Sequence, residues 1–358
     1  PLVSFLSDDR SIPAITGWFD HELASRSSLA PRLSHDQAAD DTIIDGPAFR
    51  VQVKPSCCAT HISHDAVTAV SGTPRDREMR AVTAADVALL LKTSVGHNTE
   101  PDWEQLRGRF AIVHIGLARG AVTLATDRFG VFPLCCSIEG SRIAFSDRAD
   151  RVPYRSPREI DLQAIFNYVY FHVIPAPRTI FRGVQRLEPA TRLRFDPTGL
   201  HSKSTWQPAF IAQPDFNVKV EGERFRVVLR QAVERELTTP RVGAFLSGGT
   251  DSSTVVGMLS LVTGEPVQAF SIGFEASGYD EISYARLTAR HFNSELHEHY
   301  ITPAELVGAI PLVAAHYDQP FGNSSALPAY YCARLAREHQ TDKLLAGDGG
   351  DELFGGNT

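Results

Sequence analysis

The chain has 358 residues, a formal net charge of −7 at pH 7 and 43% apolar residues, which is the composition of an ordinary globular protein with more than one domain. Acidic and basic residues are interspersed, which argues against a nucleic-acid-binding surface, and no apolar run is long enough to cross a bilayer. With no signal-peptide pattern and an odd count of five cysteines, we expect a cytoplasmic protein with neither nucleic-acid nor membrane partners.

The first half of the chain is predicted to be rich in β-strands. The stretches 106–113 and 122–134 carry strand patterns, and turns at Arg119-Gly120 and Glu139-Gly140 separate the later strands. A short helical pattern then begins at residue 161.

Metal-ligand residue types cluster at Cys57, Cys58, His61 and His64. Their spacing fits no standard zinc pattern, so we interpret them as ordinary packing residues. We interpret His297-Glu298-His299 as a feature of a sheet edge, because a strand places its two histidines on one face and the carboxylate on the other.

A proline-punctuated connector up to residue 193 leads out of the first half. Polar residues and Pro214 mark a boundary between 211 and 216. We therefore predict one domain over residues 13–210 and a second over residues 217–358.

The second half alternates helices with strands. An apolar helical face runs from Phe225 to Leu237. Strands are predicted at Val242–Leu246, Val267–Phe274 and Leu296–Ile301, and helices at 281–292, 303–317 and 327–339. This alternation predicts an α/β fold with a doubly wound parallel sheet.

The first of these strands ends in a loop, Ser247 to Ser253, that runs directly into a helix. The adjacent Gly248 and Gly249 allow successive N–H groups to face an anion, and the helix start adds further unpaired N–H groups. Asp251 would repel a polyphosphate unless a divalent cation lay between them, which implies magnesium. The alternative is an ordinary glycine turn in which Asp251 only caps the helix.

A second glycine loop follows the short apolar run Leu344 to Ala346, and it reads Gly347-Asp348-Gly349-Gly350-Asp351. Loops at the carboxyl ends of neighbouring parallel strands face one crevice. Asp251 and Asp351 can therefore share one metal ion.

The two loops together resemble signatures of the asparagine synthetase family. SGGTDSS is similar to the pyrophosphate loop of the N-type ATP pyrophosphatases, and GDGGDELFGG is similar to the second signature of asparagine synthetase. The resemblance implies a C-terminal domain like the adenine nucleotide α-hydrolases. It also implies an N-terminal class II glutamine amidotransferase domain with the αββα sandwich of the Ntn hydrolases.

The family resemblance carries a set of site residues onto this sequence. It implies ATP and Mg²⁺ as cofactors, Asp251 and Asp351 as metal ligands, and Asp348 as the catalytic residue that holds the reacting carboxylate. The implied ATP-binding residues are Leu246, Ser247, Gly248, Gly249, Asp251, Ser252, Ser253, Ile272, Ala346 and Gly347.

The sequence departs from the family pattern at the glutaminase signatures. Pro13 stands where the family has the N-terminal cysteine nucleophile, Ser71-Gly72-Thr73 replaces Asn-Gly-Glu, and Ala84 replaces an aspartate. A proline inside a chain supplies neither a thiol nor a free amine, so we expect no glutaminase activity. The family's Asp127-Arg128 segment is expected to be structural. The family's synthetase domain also continues past the second signature with a basic residue, so we expect part of the active site to lie beyond Thr358.

The sequence of the loop Asp318 to Ser325 allows two interpretations. It resembles the family's loop beside the acceptor-substrate pocket, with Asn323 where aspartate is frequent. It also fits a helix start capped by Ser324 or Ser325.

The predicted function is that of an amide-forming ligase. ATP adenylates a small-molecule carboxylate, aspartate or a related compound, pyrophosphate leaves, and ammonia or an amine attacks; for aspartate this is asparagine biosynthesis. One alternative is a lactam- or macrocycle-forming ligase of the same family, and another is a nucleotide-binding pseudoenzyme. A homodimer is the assembly that we retain as an option.

Overall fold

The computed structural model describes residues 14–26, 30–36, 41–96, 101–153, 157–212, 215–274 and 281–355. Pro13, the residue that is predicted to stand in the place of the nucleophile, lies outside these ranges. The described chain forms two compact units. The first unit contains residues up to 210 together with 317–322, and the second contains 211–316 together with 323–355. Segment 317–322, which the predicted domain limits assign to the second domain, thus groups with the first unit.

The first unit is built from two antiparallel sheets and three helices. Its elements are β1 (Ile15–Asp20), α1 (His21–Ala24), β2 (Arg32–Asp36), β3 (Asp41–Gly46), β4 (Phe49–Val53), β5 (Cys58–Ile62), β6 (Ala66–Arg75), α2 (Ala84–Gly96), β7 (Arg107–Gly116), β8 (Ala121–Thr126), β9 (Cys135–Glu139), β10 (Arg142–Ser146), α3 (Leu162–Phe171), β11 (Gln185–Arg186), β12 (Thr191–Asp196) and β13 (Gly199–Ser204). One sheet has the order β11-β9-β10-β1-β4-β3-β2, and the other has the order β13-β12-β8-β7-β6-β5.

The two sheets enclose a common apolar core. Phe19, Phe49 and Phe145 from the first sheet pack with side chains of the second, including Val113 and Leu124. Alternation along β7 sends Ala111, Val113 and Ile115 into this core and sends Phe110 and Ile112 to the opposite face. A strand covered on both faces is apolar throughout, and every residue of β8 is buried.

Helices cover the outer faces of these sheets. Val87 and Leu91 of α2 pack on Val70 and Ile112. Phe181 packs on the outer face of the first sheet, with the group that contains Cys135 and Ala144. It also packs with the group that contains Ala164 of α3. This helix–sheet–sheet–helix order confirms the predicted sandwich.

The second unit alternates helices and parallel strands. Its elements are α4 (Val218–Glu236), β14 (Val242–Phe245), α5 (Thr250–Thr263), β15 (Gln268–Phe274), α6 (Ile282–His291), β16 (Glu295–Ile301), α7 (Pro303–His316), α8 (Ala326–Glu338), β17 (Lys343–Leu345) and α9 (Gly350–Phe354). All strand pairs are parallel, in the order β16-β15-β14-β17. The predicted parallel α/β fold is confirmed.

The strand order places a crevice at one point of this sheet. The chain adds β15 and β16 on one side of β14 and then adds β17 on the other side. Ligands of open α/β sheets bind where the direction of winding changes, outside the carboxyl ends of the strands. In this sheet that point lies between β14 and β17.

Within the ranges that the structure describes, none of the helices combines the length and apolar character needed to span a bilayer.

Candidate active site

Two glycine loops meet at the carboxyl ends of β14 and β17. The strands are neighbours in parallel register, with Val242 opposite Lys343 and Ala244 opposite Leu345, so both loops leave the sheet at the same edge. A cavity of about 480 Å³ opens there. Its lining includes Ser247, Asp251 and Ser252 from the first loop and helix, and Ala346, Gly347, Asp348 and Asp351 from the second.

The second loop packs directly on Asp251. A Cβ atom on Gly347 would lie 2.7 Å from Cβ of Asp251, and one on Gly350 would lie 2.1 Å from a carboxylate oxygen of the same residue. No side chain fits at these distances. The two loops therefore form one structure around Asp251, and this contact explains why the second loop contains these glycines.

Gly248 shapes the first loop without lining the cavity. Its φ of +92° belongs to the left-handed region, and a Cβ atom there would lie 2.6 Å from the backbone nitrogen of Ala285 in α6. Ser253 also supports the loop from behind, because its hydroxyl is 2.9 Å from that of Thr288. Of the predicted ATP-binding residues, Gly248, Gly249 and Ser253 therefore lie outside the cavity lining.

Hydroxyl and N–H groups concentrate at the start of α5. The Ser252 hydroxyl lies 3.0 Å from that of Ser247 and accepts the Ser247 backbone N–H at 3.3 Å. Gly249 is the N-cap of α5 and has no side chain to pair with the first-turn N–H groups. Such a helix start binds anions.

Acidic side chains dominate the polar lining. Among the residues that the structure describes, the cavity lining includes five carboxylates, at Asp251, Glu281, Asp348, Asp351 and Glu352, and no lysine, arginine or histidine. A cavity with this charge requires cations when a polyphosphate enters it.

The structure brings the predicted metal ligands Asp251 and Asp351 to the same cavity. Among the described residues, no group of three or more histidine, cysteine or carboxylate side chains forms a metal cluster. Two carboxylates beside an anion-binding loop nevertheless fit Mg²⁺, which in proteins usually keeps several waters and binds one or two carboxylates plus phosphate oxygens.

An apolar wall faces the acidic one. The predicted contacts Leu246, Ile272 and Ala346 lie there. The other apolar members of the wall were not predicted from the sequence, and they are Phe245, Phe270, Phe274, Pro328, Ala329 and Cys332. Phe274 ends a predicted strand, so the rule that ligands bind at the carboxyl ends of parallel strands could have identified it. The same rule could not identify Pro328, Ala329 and Cys332, because they come from helix α8, which is distant in sequence.

Cys332 is the thiol in this wall. Its Sγ donates to the carbonyl oxygen of Phe270 at 3.4 Å, and the residue is buried. Burial raises the pKa of Cys332. The thiol therefore stays protonated near neutral pH and acts as an apolar packing group rather than as a nucleophile.

The loop 318–325 lies outside the lining of this cavity, and its predicted place beside an acceptor-substrate pocket stays a prediction. Asp318 accepts hydrogen bonds from Arg186 and from the backbone of Ala149. The helix start that the other interpretation predicted is present, with Ser325 as the N-cap of α8, but the Ser325 side chain makes no cap bond. Instead Oδ1 of Asn323 accepts the Ser325 N–H at 2.9 Å.

The family's Asp127-Arg128 segment makes structural contacts in the first unit. The buried Asp127 carboxylate accepts backbone N–H groups of the loop that follows it and of Phe110. The Arg128 guanidinium lies 5.1 Å from the ring centroid of Trp206. Ala84, at the position of a family aspartate, is 4% exposed and belongs to the core beneath α2.

The histidine-containing strand β16 also makes packing contacts. The rings of His297 and His339 have centroids 3.8 Å apart, while Nε2 of His299 lies 3.2 Å from Glu305. Glu298 pairs with Arg286. These partners agree with the interpretation of this stretch as structural.

Comparison with known proteins finds two families. Residues 73–206 match the family described as glutamine amidotransferase domain, and residues 224–358 match the family described as asparagine synthase. Asparagine synthetase (glutamine-hydrolyzing) 1 of Bacillus subtilis is 31% identical over 280 residues, which cover 76% of this chain and 43% of that protein.

Two further relatives extend the comparison. The putative asparagine synthetase (glutamine-hydrolyzing) 2 of Methanocaldococcus jannaschii is 31% identical over 288 residues, covering 78% of this chain and 55% of the relative. Amidase chyE of Penicillium rubens is 23% identical over 272 residues, covering 70% and 40%. The chain thus spans about half the length of the curated relatives that it matches.

Proposed function

The chain belongs to the asparagine synthetase family, with a glutamine amidotransferase domain followed by an asparagine synthase domain, and from this premise we propose that it is an ATP-dependent amide-forming ligase. The observation that carries this proposal is the convergence of the two glycine loops on one cavity. One loop supplies hydroxyls and helix N–H groups for phosphates, and the other supplies carboxylates beside them.

The reaction has two steps. An oxygen of the substrate carboxylate attacks the α-phosphorus of ATP, and pyrophosphate leaves. The nitrogen of ammonia or an amine then attacks the acyl carbon, AMP leaves with the bonding electrons, and the nitrogen loses a proton. Asp348 is the residue that we assign to accept this proton, because it lines the cavity on the second loop beside the proposed position of the reacting carboxyl group.

The chain's own residues bind and orient the nucleotide in this proposal. Ser247, Ser252 and the first turn of α5 hold the phosphates, and the apolar wall with Leu246 and Ile272 packs on the base. Asp251 and Asp351 would hold Mg²⁺, which, when bound, offsets the charge of the departing pyrophosphate.

The nitrogen source in this proposal is free ammonia or a substrate amine. Position 13 carries proline, which lacks the thiol that a glutaminase of this type uses as its nucleophile. The first unit keeps the amidotransferase fold, and its Asp127 and Ala84 make structural contacts.

A pyrophosphate-release assay with Mg·ATP and aspartate tests the proposal. We expect release that depends on aspartate, an amide product with ammonium, and no greater product yield with glutamine. Asp251→Asn should abolish release, whereas Asp215→Asn, which changes an exposed aspartate outside the cavity, should not.

ATP binding without pyrophosphate release for aspartate, a β-amino acid or a peptide carboxylate would favour the nucleotide-binding pseudoenzyme. Release with a larger substrate alone would favour the lactam- or macrocycle-forming ligase.

A further inference from the structure

We propose that the first unit carries a binding site for a carboxylate or phosphate group at Arg107, Arg128, Phe129 and Trp206, which we call the arginine patch. All four residues belong to the first unit, and none of them lines the cavity of the second. The site is therefore independent of the proposed ligase function. Its ligand class is a small organic molecule in which the oxyanion group is attached to an aromatic or apolar body.

Arg128 is held against an aromatic ring. Its guanidinium lies 5.1 Å from the ring centroid of Trp206, and the rings of Trp206 and Phe129 have centroids 5.7 Å apart. Because the N–H donors lie in the plane of the guanidinium, stacking on a ring leaves them available to an oxyanion. Arg128 is half-buried, whereas the next residue, Phe129, is 68% exposed. The patch thus presents a charged fork together with an exposed ring.

Arg107 adds a second positive charge beside Arg128. The strand β7 begins at Arg107, and the backbone N–H of Asp127 donates to the carbonyl oxygen of Phe110 in this strand at 3.0 Å. The residue after Asp127 is therefore close to the start of β7. Burial lowers the pKa of Arg128, the charge of Arg107 lowers it further, and Glu104 opposes these effects. A bound anion relieves the repulsion between the two guanidinium groups.

The part of the chain that the structure describes offers these two arginines no partner. Among its residues, neither the Arg107 nor the Arg128 side chain makes a hydrogen bond or an ion pair. Asp127 is next to Arg128 in sequence, but its carboxylate accepts backbone N–H groups of Phe110 and of the loop that follows Asp127. Since the chain has a net charge of −7, the patch is a local site for an anion rather than part of a generally basic surface.

Backbone hydrogen bonds hold the two sides of the patch together. The Ala190 N–H donates to the carbonyl oxygen of Asp127, which precedes Arg128, at 2.8 Å. The Ala190 carbonyl oxygen accepts the N–H and the hydroxyl of Thr205, which precedes Trp206, at 2.7 and 2.9 Å. One residue thus fixes the loop of Arg128 relative to the segment of Trp206. A site built before the ligand arrives loses less conformational entropy on binding.

This assignment gives the first unit a binding role that needs no glutaminase nucleophile. The four residues lie at the start of β7, in the loop after β8 and beyond β13. Backbone contacts of Asp127 and Ala190 account for the fold of this region, but they do not use either guanidinium. The unpaired charges and the exposed ring are what remain for a ligand.

The test is a fluorescence titration of the full chain at constant ionic strength, with phenyl phosphate, phenylacetate and the neutral benzyl alcohol as probes. We expect a saturable change with both anions and an affinity for benzyl alcohol that is lower by about tenfold or more. Inorganic phosphate, which lacks the ring, should bind more weakly than phenyl phosphate. Trp206→Phe keeps an aromatic ring beside Arg128 and should abolish the fluorescence change.

Charge variants assign the binding to the two arginines. Calorimetry with phenyl phosphate should show an affinity lowered by about tenfold in Arg128→Gln and in Arg107→Gln. Arg128→Lys, which keeps the charge but not the planar fork, should have a smaller effect in the same direction. Arg77→Gln removes an exposed arginine that pairs with Asp102 in the same unit, and this matched control should leave the affinity unchanged.

The proposal is overturned if phenyl phosphate and benzyl alcohol bind equally, or if Arg77→Gln weakens binding as much as Arg128→Gln does. It is also overturned if the folded wild-type chain shows no saturable binding of either anion. If Arg128→Gln fails to fold, Arg107→Gln decides by the same comparison with Arg77→Gln.

Discussion

Asp251 occupies the point where both loops of the site meet. The backbone of the second loop approaches its side chain so closely that glycine is required at positions 347 and 350. We therefore expect a cation to offset the repulsion between this carboxylate and a phosphate bound at the loop. Gly347 and Gly350 therefore matter for packing as much as for backbone conformation.

A methyl group tests this packing. We expect Gly350→Ala to lower the affinity for Mg·ATP by about tenfold or more, because its Cβ would lie 2.1 Å from a carboxylate oxygen of Asp251 and overpacking of this kind costs about 1–3 kcal/mol. Gly222→Ala in α4 is the matched control, since nothing lies within 4 Å of its added Cβ. It should keep full affinity and gain roughly 0.5–1 kcal/mol of stability. Unchanged affinity in Gly350→Ala would show that the loops are not packed as described.

Asp147 is a carboxyl group whose ionisation opposes folding. Burial raises the pKa of Asp147 from its ordinary value of 3.8 to about 6, although the side chain accepts the Ala14 N–H at 2.9 Å and Arg148 is adjacent in sequence. As pH rises from about 4 to about 6, the unfolded chain releases this proton while the folded chain keeps it. The free energy of unfolding contributed by Asp147 is therefore present at low pH and falls by about 3 kcal/mol across this window.

Urea unfolding at a series of pH values measures this contribution. Asp147→Asn should remove the decrease between about pH 4 and pH 6 while keeping an oxygen that accepts the Ala14 N–H. Asp215→Asn, at an exposed position, should leave the decrease in place. If both variants follow the wild-type profile, burial of Asp147 does not set the pH dependence.

At the scale of elements, residue patterns predicted the second unit well. The helices expected at 281–292, 303–317 and 327–339 are observed at 282–291, 303–316 and 326–338, because apolar periodicity and glycine or proline boundaries are local signals. The convergence of the two loops also followed from parallel strand order. The sequence could not predict that α8 contributes to the cavity wall, nor which groups hydrogen-bond to Asp318. The Asp318 partners Ala149 and Arg186 are 169 and 132 residues away, and no local pattern encodes contacts at that separation.

The loop after β8 depends on one buried side chain. The Asp127 carboxylate is 1% exposed and accepts the N–H groups of Phe110, Phe129, Val131 and Phe132 at 2.9–3.4 Å. Asp127→Ala leaves these donors without their acceptor, and we expect it to lower the free energy of unfolding by about 3 kcal/mol or more. Asp127→Asn, which keeps one acceptor oxygen, should cost less. Chemical denaturation of the three proteins measures the difference, and a loss below about 1 kcal/mol in Asp127→Ala would contradict a structural role.

At the scale of the whole molecule, the two units contribute differently. Every described residue that lines the cavity belongs to the second unit, and the first unit is a sandwich whose residues 73–206 match the glutamine amidotransferase domain family. Both halves of the chain match family models, the first half a glutamine amidotransferase domain and the second an asparagine synthase. From the acidic lining we expect one property that is independent of the acceptor, which is that cations are required when the proposed nucleotide binds.

The central claim is that one Mg·ATP site is built jointly by the two loops, and a double-mutant cycle on Asp251 and Asp351 tests it most directly. Calorimetric titration of Mg·ATP into wild type, Asp251→Asn, Asp351→Asn and the double variant should show a loss of about tenfold to a hundredfold for each single change. The double variant should bind no more weakly than the poorer single variant, because residues that act on one ligand group are coupled. A shared site would be contradicted if the losses of binding free energy in the two single variants add up to the loss in the double variant. It would also be contradicted if the wild type binds ATP with the same affinity after Mg²⁺ is removed.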